Sequence, residues 1–148
     1  DFLNTDFEYL YITDSDSIHD PNFLSILECL PKEHPISLYT SHINKDVDCD
    51  QYFFRKYSGG ISHFYTKEMV GQIVSCLDKY GEPNKGWDYK AIDFIGKPML
   101  VTKTSYTEHL GYGGLHSGTN WDHDRAKNPT PFLIAKRKEV IASLGGNL

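Results

Sequence analysis

The sequence predicts an α/β fold: a mixed, mostly parallel sheet with helices on both faces. Three observations predict it. Apolar runs rich in aromatic and β-branched residues alternate along the chain with segments of helical periodicity, which implies a sheet covered on both sides. The first run, Tyr9-Leu10-Tyr11-Ile12, holds no charged residue, as fits a parallel strand buried on both faces. The polar constellations stand where such runs end, and ligands of open α/β sheets bind at the carboxyl ends of strands.

Taken in order, a polar start to Asp6 precedes the first strand, Phe7 to Ile12, which ends in the turn Asp14-Ser15-Asp16. Asp20-Pro21 reads as an N-cap followed by proline at the first helical position. Phe23, Leu24, Leu27 and Leu30 then recur at helical spacing until Pro31 stops the helix. A strand is expected over Ile36 to Thr40. Asp46, Asp48 and Asp50 lack the glycine and closing glutamate of a calcium loop and read as a solvated segment. The aromatic run Tyr52-Phe53-Phe54 leads to Ser58-Gly59-Gly60 and a further strand, Ile61 to Tyr65. Thr66 caps a helix whose stripe is Met69, Val70, Ile73, Val74 and Leu77.

After a turn-rich connection, Gly86-Trp87-Asp88 opens a short helix, with Asp88 as its expected N-cap and Gly96 at its end. Met99 to Thr104 reads as a strand. Ser105 to Ser117 reads as a glycine-rich loop carrying His109 and His116. Thr130-Pro131 starts the last helix, with Phe132, Leu133, Val140, Ile141 and Leu144 on its apolar side and Lys136, Arg137 and Lys138 toward water.

The chain has 148 residues, enough for one domain with a core. At 39% hydrophobic and 14% aromatic it is globular. A net charge of −5 argues against a nucleic-acid surface built on bulk charge. No apolar run reaches the length of a membrane span. The three cysteines, Cys29, Cys49 and Cys76, show neither a zinc spacing nor a disulfide framework, which favours a reducing compartment such as the cytoplasm.

The acidic turn carries the chemistry. Two carboxylates one residue apart repel each other unless a cation lies between them. Oxygen ligands of this kind suit Mg²⁺ or Mn²⁺, ions that are commonly shared with substrate phosphates. Mn²⁺ also tolerates an imidazole beside carboxylates.

An apolar strand, Asp-Ser-Asp, a helix, Ser-Gly-Gly before a strand, Gly-Trp-Asp opening a helix, and a late histidine in a glycine loop follow one another from Phe7 to about Ser117. This ordered series resembles the GT-A class of nucleotide-sugar glycosyltransferases. The resemblance implies a metal-dependent enzyme that moves a sugar, of hexosyl type, from a UDP- or GDP-sugar to a hydroxyl of a glycan, lipid or protein acceptor. It implies that Asp14 and Asp16 are the metal motif, with Asp16 the direct ligand and Asp14 shared with the sugar nucleotide. Gly59 and Gly60 resemble the glycine pair of the sugar and acceptor pocket, with Trp87 beside it. Asp88 resembles the general base. His109 resembles the late histidine that completes the metal shell, with His116 second on the diphosphate. The loop from Glu108 to Ser117 is expected to order around metal and nucleotide.

Lys90 and Ala91 stand about where many inverting members carry paired acidic residues, which leaves the stereochemical outcome open. Members of the class also carry a nucleotide-binding half before the Asp-x-Asp strand, so residues 1–148 are expected to be either the C-terminal part of a larger GT-A-like domain or a reduced variant of one. Two other classes fit parts of the pattern. One is a different metal and phosphate enzyme, such as a nucleotidyltransferase. The other is a non-catalytic sugar-binding module.

Overall fold

The structure, a computed structural model, describes residues 5–41, 48–80, 86–111 and 125–145. Its main sheet has five strands in the order β1-β5-β3-β6-β4. These are β1 (Tyr9–Thr13), β3 (Ile36–Ser37), β4 (Tyr52–Arg55), β5 (Ser62–Thr66) and β6 (Met99–Thr102). A second sheet pairs β2 (Ser17–His19) with β7 (Thr107–His109). The helices are α1 (Phe23–Glu28), α2 (Lys67–Tyr80), α3 (Trp87–Ile95) and α4 (Pro131–Ser143).

Side chains alternate across each strand, and the two faces fill two cores. On one face Tyr65, Met99 and Val101 meet Met69 and Val70 of α2 and Ala91, Ile92 and Ile95 of α3, with Leu10, Ile12 and Phe53 packed alongside. On the other, Ile36, Phe64 and Leu100 meet Leu27 of α1 and Leu38, with Tyr9, Tyr11 and Tyr52 alongside. Helices on both faces are thus present. Tyr11 stacks on Phe64 with ring centroids 4.2 Å apart. Burying side chains of this size contributes about 1.5–3 kcal/mol each relative to exposure.

The expectation of a mostly parallel sheet is corrected. Of the four neighbouring pairs, only β3–β6 is parallel, while β1–β5, β3–β5 and β4–β6 are antiparallel. The strand–helix alternation does predict the directions: β1, β3 and β6 all run the same way. It does not predict the neighbours, and β5 and β4, which run the other way, pair between and beside them. For the same reason β1 is not buried on both sides. It is an edge strand, half-buried at all five positions.

Three local readings also change. Asp20 does not cap α1. It is buried, its Oδ1 accepts from the Asn22 N–H at 2.9 Å, and its Oδ2 accepts from the Thr130 hydroxyl at 2.6 Å. Arg137 does not face water: Leu133, Arg137 and Ile141, one helical row of α4, are all buried, whereas Phe132 and Leu144 are exposed. The segment after Ser105 is not loop throughout, since Thr107 to His109 form β7. Other readings hold. The Thr66 hydroxyl accepts from the Met69 N–H at 3.4 Å at the start of α2. Gly96 closes α3 in the left-handed conformation. Thr130 caps α4. All three cysteines are free thiols. Among the described residues, no helix is long and apolar enough to cross a membrane.

These directions place one edge of the main sheet. The carboxyl ends of β1, β3 and β6 and the amino ends of β4 and β5 share it. The chain after Arg125 runs along that edge: Ser41 bridges Ala126, Ser105 bridges Pro129, and the Lys127 N–H donates to the Thr40 carbonyl at 2.7 Å.

Candidate metal centre

The acidic turn connects β1 to β2. The Ser17 N–H donates back to the Asp14 carbonyl at 3.3 Å, so Asp14 and Asp16 flank a tight reversal. β2 then pairs antiparallel with β7, placing Ser17 opposite His109. This register brings the late histidine to the acidic turn. His109 Nε2 lies 3.2 Å from Asp16 Oδ1 and 3.8 Å from Asp14 Oδ2. One ligand atom from each of the three residues lies within 4.8 Å of the others.

Backbone groups of the following turn hold Asp16. The Leu110 N–H donates to its carbonyl at 3.0 Å, and the Gly111 N–H donates to its Oδ2 at 3.1 Å. Gly111 does so with φ +65°, a conformation that favours glycine. Asp16 therefore has one carboxylate oxygen anchored and the other turned to His109. Exposure is graded across the trio: the side chains of Asp14, Asp16 and His109 are 51%, 29% and 13% exposed. The small sheet behind them is backed by α4, which packs on both β2 and β7.

The two carboxylates and the imidazole could together hold a metal ion. Ligands bound at about 2.1 Å in octahedral positions stand roughly 3 Å apart when adjacent, close to the His109–Asp16 separation. A proton on Nε2 or a cation can each satisfy this contact, and they exclude one another.

The second group of expected site residues gathers at the same edge. Thr13 pairs with Ser62 in the β1–β5 ladder, so Asp14 follows one strand end where Ile61 and Gly60 precede the other. A Cβ on Gly60 would meet Trp87 Cζ2 at 3.0 Å and Asp88 Cβ at 3.6 Å. The start of α3 thus approaches closely at Gly60, while Gly59 faces open space. Asp88 is not the N-cap of α3. Gly86 holds that position with φ +65°, and Asp88 lies in the first turn, where a carboxylate meets the positive end of the helix dipole. Trp87 is 43% exposed and Tyr89 beside it is also exposed. His116 lies outside the described residues.

Several residues of this region had no role in the sequence reading. Glu108 is buried next to His109. Its Oε1 accepts from the Ala126 N–H at 2.8 Å and the His109 N–H at 3.2 Å. Burial pushes its carboxyl up, against the Ala126 N–H and the nearby Arg137 and Arg125 charges. His63 and Tyr65 of β5 are buried beneath Trp87's neighbourhood, and their side chains meet at 2.8 Å. The only signal for them is a polar residue inside an apolar run.

Compared with known proteins, the sequence matches no family model and no curated protein.

Proposed function

We propose that this chain is a GT-A-type glycosyltransferase domain, transferring a sugar from a UDP- or GDP-sugar to an acceptor hydroxyl. One observation supports this above the rest. Asp14, Asp16 and His109, singled out together as metal ligands, come from distant parts of the chain into one cluster. The Gly60–Trp87–Asp88 group supports it further by adjoining that cluster through the β1–β5 pairing.

In this reading Asp14, Asp16 and His109 hold Mn²⁺ or Mg²⁺. Such an ion, when bound, neutralises charge that builds on a departing nucleoside diphosphate. The chain's own groups do the rest. The exposed ring of Trp87 offers a face for a sugar. Gly60, without a side chain, lets that ring lie against the backbone. Asp88 accepts the proton of the attacking hydroxyl, within reach of the sugar that Trp87 orients. Asp16, anchored through Leu110 and Gly111, keeps its free oxygen aimed at the cation.

The test is turnover. The purified chain, given Mn²⁺ and a panel of UDP- and GDP-sugars, is expected to release nucleoside diphosphate slowly by hydrolysis and faster with a saccharide acceptor. Metal-dependent nucleotide binding without release would favour the sugar-binding module. Absence of both binding and release sinks the proposal.

A further inference from the structure

His63 sits in β5 at a cost that its surroundings do not offset. It is fully buried, and burial pushes its imidazole down to about 4, so the ring is neutral at pH 7. Nδ1 meets the Tyr65 hydroxyl at 2.8 Å. Nε2 is buried and has no hydrogen-bond partner among the described residues. Leaving such a group unsatisfied costs about 1–3 kcal/mol, a penalty an apolar side chain of similar size would avoid.

What lies close to the ring is the glycine turn. Backbone groups of Gly59 and Ser58 act on the imidazole in the direction that favours its proton, as carbonyl oxygens do, without reaching hydrogen-bond geometry. With the Tyr65 hydroxyl donating to Nδ1, the ring hydrogen stands on Nε2. Trp87 meets His63 edge-on, with centroids 5.9 Å apart, and the same indole touches the Gly60 position. One buried donor therefore adjoins both the turn and the aromatic ring of the candidate sugar pocket.

We infer that His63 is a positioning residue for the Ser58–Gly60 turn: its Nε2–H takes a carbonyl of that turn when a sugar nucleotide repositions it. A ligand can reach the turn, since Gly59 is exposed and a Cβ there would meet nothing within 4 Å. The new hydrogen bond exists in one state of the turn only, which is what a ligand-linked shift requires. The inference rests on the glycosyltransferase reading of the site.

The experiment follows the His63 ring by NMR in ¹⁵N-histidine-labelled protein, with MgCl₂ and UDP or GDP added after calorimetry has identified which nucleotide binds. The Nε2 proton is expected to move downfield and to exchange more slowly with water. Two variants are then compared for sugar-nucleotide turnover and thermal stability. His63→Gln places an amide donor near the Nε2 position, and His63→Asn places one near Nδ1 only. The glutamine variant is expected to keep KM within threefold, and the asparagine variant to raise it tenfold or more at a similar Tm. An Nε2 signal unmoved by a nucleotide that does bind overturns the inference and leaves the reading standing. Equal losses of Tm and turnover in both variants make His63 merely structural and also overturn it. A protein that binds no nucleotide with metal sinks the reading itself, and the inference with it.

Discussion

The Thr13 hydroxyl donates to the Ile61 carbonyl at 2.7 Å. This bond ties the residue before the acidic turn to the residue after the glycine pair, so the two halves of the candidate site are fixed to each other by the same strand pair that builds the sheet. The acidic turn and the glycine turn cannot move apart without breaking β1 from β5.

Asp16→Asn removes one of two neighbouring carboxylates while keeping an oxygen for the Gly111 N–H. Stability should stay within about 0.5 kcal/mol of wild type. Mn²⁺ affinity should fall at least tenfold by calorimetry. Unchanged affinity would remove Asp16 from the metal centre.

The glycine pair separates by substitution. Gly60→Ala would place its methyl 3.0 Å from the Trp87 ring. Because that ring is partly exposed it can give way, so the stability loss should stay near about 1 kcal/mol while turnover drops tenfold or more. Gly59→Ala meets nothing, and should leave turnover unchanged while raising stability by about 0.4–1 kcal/mol through the unfolded chain. Thermal melts and steady-state kinetics on the two proteins decide it.

The buried imidazole predicts an acid-labile fold. His63 has its folded value depressed to about 4 from 6.5. The unfolded chain therefore binds a proton more readily, and the contribution is present above pH 6.5 and lost as pH falls toward 4. The loss should be roughly 2–3 kcal/mol across that window. Urea titrations at pH 7, 5.5 and 4.5 should show it, with a shallower dependence in His63→Gln. Equal slopes in the two proteins would mean that His63 does not control this window.

Thr130→Val breaks the 2.6 Å hydrogen bond to Asp20 and leaves that buried carboxylate with the Asn22 N–H on its other oxygen. The expected loss is about 2 kcal/mol by urea denaturation. Because this bond ties the start of α4 to the end of β2, Mn²⁺ affinity should fall as well, by a smaller factor than in Asp16→Asn.

The sequence disclosed the parts of the fold that are local. Thr66, Gly96 and Thr130 are legible because a cap acts within one turn of its helix. The cores are legible because Leu27, Met69 and Val70 recur in stripes of helical spacing. The order of strands is not, since it depends on which distant segments pair, and a strand of three residues such as β2 or β7 leaves too short a pattern to read. Asp14, Asp16 and His109 were named by chemistry and order along the chain, yet their meeting rests on the β2–β7 register, which no local rule supplies. His63 and Glu108 went unread, and Arg137 read as facing water, for the same reason. A polar residue is buried when a neighbour far away in the chain covers it, and periodicity carries no record of that neighbour.

The β2–β7 pairing has a further consequence for how the chain folds. It joins a segment near the start of the chain to one that precedes the last helix, the kind of long-range closure that raises contact order and slows folding. The candidate ligands lie on the two sides of that closure, so they come together only once it has formed. A cation bound there clasps the ends of the long loop and stabilises the native chain by mass action. Added Mn²⁺ then slows unfolding most where the small sheet would open first.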